Sequence, residues 1–91
     1  MSGNFEFSLS VCTEKQTGRL LAAYFQVRKG KASRVQEFAN GSAFANYDRK
    51  GNLLGIELLG PCHVNVLDKI AHETKVKNFV KAHIPRELAL A

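Results

Sequence analysis

At Gly60-Pro61 the hydrophobic pattern of this chain changes its period, and few arrangements of a short polypeptide accommodate both halves. Before that point apolar residues recur at every second position. Phe5, Phe7, Leu9 and Val11 alternate with Glu6, Ser8 and Ser10, and Leu21, Ala23, Phe25 and Val27 alternate with Ala22 and Tyr24. Such alternation gathers one set of side chains on one face of an extended strand. After it, Val64, Leu67, Ile70 and Ala71, and then Val76, Phe79, Val80 and Ile84, return at intervals of three and four, which marks one face of a helix. With 91 residues there is room for one domain only, so a sheet-forming part (1–60) and a helical part (61–91) have to share a single core.

Turn chemistry divides the first part further. The polar stretch Thr13 to Gly18 reads as the loop of a hairpin between the first two strands. Lys29-Gly30-Lys31 interrupts the pattern, and Ser33 to Phe38 is again an extended stretch around the β-branched Val35. Asn40-Gly41 is a strong hairpin signal, because a tight type I′ turn requires positive φ at both central residues. Ser42 to Tyr47 therefore folds back on the third strand. In Asp48-Arg49-Lys50-Gly51 the aspartate side chain is placed to accept backbone N–H groups two residues on, and the glycine suits a left-handed position. Leu53 to Leu59 is the fifth strand, with Leu54, Ile56 and Leu58 on the core face by alternation, and Leu53, Glu57 and Leu59 opposite them. Gly55 inside a strand implies a bulge or the close approach of another backbone. Thr74 is the expected N-cap of the second helix, and Pro85 ends it and suits the first turn of a short third one running to Leu90. The expected fold is α+β: a five-stranded antiparallel meander in hairpin order, followed by two C-terminal helices packed on one of its faces.

The formal charge of +5 is uneven. It concentrates between residues 19 and 50, where Arg19, Arg28, Lys29, Lys31, Arg34, Arg49 and Lys50 face only Glu37 and Asp48. Clustered charge steers acidic partners more effectively than total charge does, so Arg28, Lys29, Lys31 and Arg34 are the candidate contact residues for nucleic acid or an acidic protein. Tyr24 and Tyr47 are near enough in a sheet to add stacking. No run approaches the ~20 consecutive apolar residues of a membrane span. Met1-Ser2-Gly3-Asn4 lacks the basic start and apolar run of a secretory leader, and the expectation is a cytoplasmic protein. Cys12 and Cys62, fifty positions apart, are then expected as reduced thiols.

The run Tyr47-Asp48-Arg49-Lys50-Gly51-Asn52-Leu53-Leu54-Gly55-Ile56-Glu57-Leu58-Leu59, with Ala22-Ala23-Tyr24-Phe25-Gln26-Val27 upstream, resembles the small bacterial domain-of-unknown-function family 2283. Its members read Y-D-x-x-G-x-(I/L)-x-G-I-E-(I/L)-(I/L), preceded by a strand of the form A-x-Y-(I/F). The resemblance covers about residues 20–62. It implies a small β-rich bacterial domain without an agreed activity, and some members look like the smaller partner of a two-protein toxin–antitoxin-type module. The longer N-terminal strand and the helices after Pro61 depart from the short members.

Catalytic chemistry finds little support in the residue spacing. His63, His72 and His83 with Cys12 and Cys62 match no compact metal motif, since Cys62 and His63 are adjacent and His72 and His83 lie eleven apart. Cys62 near a helix start would favour a thiolate, yet no orienting acid or oxyanion loop accompanies it. Phosphate-binding and nucleophile-elbow motifs are absent from the sequence. Glu57 reads as an exposed or cross-strand-paired structural residue rather than a catalytic acid. The expectation is a non-enzymatic module, with no cofactor and no metal, that associates with itself as a homodimer or with a separately encoded protein. Its association face is expected to carry Tyr24, Leu53 and Leu59 beside Ala22, an apolar set on the sheet face left open by the helices. The alternative is a nucleic-acid-binding or antitoxin-like accessory protein using the basic hairpin around residues 28–34.

Overall fold

A computed structural model describes residues 5–90; the start of the chain, on which the expectation about a leader rests, lies outside them. Five strands, β1 (Ser8–Thr13), β2 (Leu20–Gln26), β3 (Arg34–Phe38), β4 (Ala43–Tyr47) and β5 (Leu53–Leu58), form one antiparallel sheet. Two helices follow, α1 (Val66–Ile70) and α2 (Thr74–His83). A two-residue parallel bridge joins β6 (Cys62–His63) to β7 (Ala89–Leu90) and ties the end of the chain to the segment leaving the sheet. The α+β class is as the sequence implies. No helix among the described residues is long and apolar enough to cross a membrane.

The strand order is β1-β2-β5-β4-β3, and the expected meander is corrected. β2 does not pair with β3; it lies beside β5, and the chain crosses from β2 over the ends of β5 and β4 to the far edge. This is a Greek-key arrangement read in reverse chain direction. Strand composition supplies the reason. β3 (Arg-Val-Gln-Glu-Phe) has almost no apolar surface to bury and is exposed along nearly its whole length. β5 (Leu-Leu-Gly-Ile-Glu-Leu) is buried at five of its six positions. The most apolar strand takes the centre of the sheet and the most polar one an edge.

The helices cover the face that carries Ala23 and Phe25 of β2 with Val27 just after it, Ala43 and Ala45 of β4, and Ile56 and Leu58 of β5. Phe25, Ile56 and Leu58 are fully buried, each contributing about 1.5–3 kcal/mol over an exposed position. The small Ala43 and Ala45 leave room for Leu67, Val76 and Val80 of the helices. Phe79 of α2 fixes where that helix lies, since its ring stacks on Phe7 at 4.6 Å and meets Phe25 edge-on at 5.8 Å. Lys77 and Asp68 link the two helices at 3.3 Å. Pro85 follows Ile84, the C-cap of α2, and a single 3₁₀ turn (Arg86–Leu88) stands where a third helix was expected. Thr74 is not the N-cap of α2: Glu73 occupies that position and makes no capping hydrogen bond, because its carboxylate points to Arg28 instead.

A bulge in β5 reverses two assignments. Asn46 pairs with Gly55 and Tyr47 with Leu53, so Leu54 is the extra residue. The shift turns Leu53 into the core beside Tyr47, and sends Leu54 beneath the β2–β3 crossover, where Gly30 rests against its side chain. A one-residue slip exchanges faces in this way wherever it occurs. Gly55 is indeed required by a close approach, but of a side chain and not of another backbone: the Tyr24 phenol lies across it and would collide with any Cβ there. Asn46 Nδ2 donates to that phenol oxygen at 3.4 Å.

The turn at 39–41 also goes beyond expectation. Asn40 and Gly41 have positive φ as the Asn-Gly signal requires, and so does Ala39 at +53°. A Cβ-bearing residue in left-handed conformation costs about 1–2 kcal/mol. Ala39→Gly is therefore expected to raise unfolding stability by about 0.5–1 kcal/mol in urea titrations. Gly55→Ala should lower it by about 1–3 kcal/mol, and combining it with Tyr24→Ala should recover part of that loss. Additive losses from the two changes would show that the ring does not set the requirement.

Candidate functional site

Arg28 anchors the most distinctive polar site of the molecule. It lies two residues past the end of β2, where the chain turns into the crossover, and its side chain is only 9% exposed. Nη1 donates to the backbone oxygen of Leu53 at 2.8 Å, and the guanidinium lies 4.9 Å from the centre of the Phe5 ring. Nη2 faces both carboxylate oxygens of Glu73 at 3.4 Å, and that carboxylate is half exposed. Nε is buried without a hydrogen-bond partner among the described residues. Arg28 thus joins the crossover, the bulged end of β5 and the start of α2. The basic hairpin expected around residues 28–34 is corrected: these residues form a crossover between strands that are not neighbours, and its first cation is buried structure.

The other three candidate contacts diverge. Lys29 is exposed and pairs with Glu6 at 3.5 Å, a surface contact of small energetic weight. Lys31 is exposed on the crossover. Arg34 begins β3 with its guanidinium 4.4 Å above the centre of the Tyr47 ring. Arg28 and Arg34 nevertheless meet again across a depression of about 660 Å³ between the sheet and the α1–α2 connection. Lys69, His72, Asn52 and Gln36 also line it, with Phe38, Leu53 and Ile70 as apolar walls. Lys69 and His72 come from the helical part, which linear charge clustering cannot bring to residues 28–34.

The expected association face is not assembled either. Tyr24 is partly buried on the open face of the sheet, in register with Glu57, and Phe44 flanks Glu57 from the other side. Leu53 is in the core on the opposite face, for the bulge described above. Leu59 is exposed just beyond β5, beside a second, apolar depression of about 440 Å³ that Leu20, Leu21, Pro61 and Leu88 also line. Exposed apolar side chains gather instead along the first strand: Phe7, just before β1, and Leu9 and Val11 of β1 point to the helix side, where Phe79 of α2 meets Phe7 and the helices do not reach as far as Leu9 and Val11.

Cys62 is buried in the core cluster, and burial pushes its thiol up from the ordinary value, which opposes nucleophilic use. The helix expected close behind it begins only at Val66. Cys12 is exposed on β1. His63, His72 and His83 are exposed, and His83 Nδ1 meets the backbone oxygen of Phe79 at 2.9 Å. Among the described residues, no three histidine, cysteine or carboxylate side chains come together as a metal site. Asp48 behaves as its turn motif implies. Its Oδ1 accepts from the Lys50 and Asn52 amides at 2.9 Å, and Oδ2 accepts from the Asn52 side chain at 3.1 Å. These bonds, led by the Asn52 amide, hold its carboxyl below the ordinary 3.8.

Comparison of the chain with models of known protein families, with curated proteins and with solved structures found no match.

Two outcomes follow from this geometry. Arg28→Ala should cost about 2–3 kcal/mol in chemical denaturation, because a buried backbone acceptor loses a charged donor and a brace of α2 is lost. Lys29→Gln and Lys31→Gln should each change stability by less than about 0.5 kcal/mol. Because folding lowers the pKa of Asp48, its contribution to stability is present above the unfolded value and is lost as pH falls through the folded one. Asp48→Asn should therefore flatten the thermal-stability profile below about pH 4, leaving the neutral-to-basic limb parallel to the wild type.

Proposed function

We propose that the chain is a non-enzymatic association module that pairs with a second copy of itself through the open edge of β1. One observation carries this reading: the two edges of the sheet are protected to very different degrees. β3 bears Arg34 and Glu37, charges of the kind that keep an edge from pairing with foreign strands. β1 (Ser-Leu-Ser-Val-Cys-Thr) has no charge, no proline and no glycine, and all six of its residues are exposed. Its outer backbone groups face solvent. Phe7, Leu9 and Val11, with Val11 54% exposed, form an apolar strip on the side where the helices end.

Antiparallel pairing of β1 with its own copy about a two-fold axis brings no like charges together within the strand and joins two five-stranded sheets into one. The same contact lays the Leu9 and Val11 side chains of the two copies side by side, where the helices of each leave them open. A six-residue strand is about 20 Å long, enough for a continuous ladder of backbone hydrogen bonds. The homodimer and the non-enzymatic character in this reading draw on that edge, on the protonated, buried Cys62 and on histidines that do not converge with other ligating groups. The resemblance to the domain-of-unknown-function family 2283 belongs to the same proposal, as does a cytoplasmic setting.

Light scattering at tens of micromolar should report twice the chain mass, and Val11→Lys or Leu9→Lys should return it to the monomer value with the far-ultraviolet circular dichroism unchanged. A monomeric wild type removes the proposal. So does a dimer that both lysine variants leave intact, since its contact would then lie elsewhere.

A further inference from the structure

We infer that the depression between the sheet and the α1–α2 connection is a binding site for a phosphate monoester, with Arg28, Arg34 and Lys69 as its cationic side. The starting point is the electrostatic state of Arg28. A buried guanidinium is costly unless anions and acceptors meet its donors closely, and charge-assisted bonds of this kind settle near ~2.7–2.9 Å. Here only Nη1 has such a contact, at 2.8 Å to Leu53. Glu73 stays at 3.4 Å, half exposed, and Nε has no partner among the described residues. One N–H donor of the buried cation is thus left without an acceptor among the described residues, while Leu53, Glu73 and the Phe5 ring meet the rest of the guanidinium.

The surroundings supply the remainder of an anion site. Arg34 comes from β3, Lys69 from the last turn of α1 and His72 from the connection to α2, so three separate segments bring donors to the same depression as Arg28. Glu73 is the one carboxylate among the residues lining it. Gln36 also lines it, its Oε1 accepting from Arg34 Nη1 at 3.3 Å and holding that guanidinium at the rim. Two guanidinium forks and an ammonium suit a phosphoryl group, which offers several acceptor oxygens and up to two charges. A volume of about 660 Å³ exceeds what a phosphoryl group alone occupies, and Phe38, Tyr47, Leu53 and Ile70 give the remainder of the ligand an apolar wall. The chemistry therefore favours an ester with an apolar or aromatic body over free phosphate. None of these residues belongs to the β1 edge, so the site stands or falls independently of self-association.

Phenyl phosphate and inorganic phosphate are the probes, titrated into the ¹⁵N-labelled full chain at constant ionic strength, with chloride as the control. Expected are site-specific shifts of the Arg28 Nε–H resonance and of the Asn52, Ala71 and His72 amides, with phenyl phosphate binding at least about tenfold more tightly than inorganic phosphate. Lys69→Gln and Arg34→Gln, both at exposed side chains, should each weaken binding several-fold, and Arg34→Lys should restore part of the loss. Shifts spread over exposed lysines such as Lys50, Lys75 and Lys81, unaffected by either glutamine variant, would overturn the site, as would spectra that phosphate leaves unchanged. Equal affinity for the two probes would overturn the assignment to an ester.

Discussion

Strand β5 requires neighbours along both of its edges and cover over both of its faces, and the other elements are arranged by that need. Its backbone pairs with β2 on one side and β4 on the other. Ile56 and Leu58 are completely buried under the helices. On the reverse face the Tyr24 ring lies over Gly55, and Leu54 is closed off by Gly30. A strand buried to this extent cannot end a sheet without exposing what it buries, so β2 gives up its sequence neighbour β3 to lie beside it. Unpaired backbone and displaced apolar surface would together cost more than the longer crossover.

That crossover has physical consequences of its own. Leaving β2, the chain passes over the bulged start of β5, where the Val27 and Arg28 amides both donate to the Leu54 carbonyl oxygen at 2.8 and 3.3 Å. The Arg28 side chain is carried inward at the same point, to the Leu53 carbonyl and toward Glu73 at the head of α2. One guanidinium thereby spans sheet, crossover and helix. Glu73 is drawn away from capping its own helix, and the depression beside it acquires a cationic wall. Structural bracing and ligand-binding potential arise from one displaced side chain.

The two sheet edges complete the contrast. β3 is tolerable at an edge because its polar side chains accept exposure, and Arg34 covers the Tyr47 ring from above. β1 is held by β2 on one side and, through Phe7, by Phe79 of α2, while its other backbone edge and much of Leu9 and Val11 remain open. The two edges thus differ in charge, β3 bearing Arg34 and Glu37 and β1 none.

Much of the local structure was legible in the residues themselves. Alternation located the first, second and fifth strands, the stretch around Val35 and the Asn40-Gly41 turn located the third and fourth, the shift to a period of three to four located both helices, and Asn40-Gly41 and Asp48 to Gly51 located two turns with the backbone angles and side-chain bonds their chemistry implies. These are relations among residues close in sequence, and short-range sterics and hydrogen bonding decide them. Strand order, the exchange of Leu53 and Leu54 between faces, and the conversion of Arg28 from surface charge to buried brace are of another kind. Each depends on how much apolar surface distant segments bury against one another: β3 had too little for the sheet interior, and β5 had enough on both sides to claim it. The same holds for the cationic depression, whose Lys69 and His72 lie some forty residues from Arg28 and reach it only because the helices close over that end of the sheet. Local pattern sets what each segment becomes, and burial summed over the whole chain sets which segments meet, because only the assembled core can compare one pairing with another.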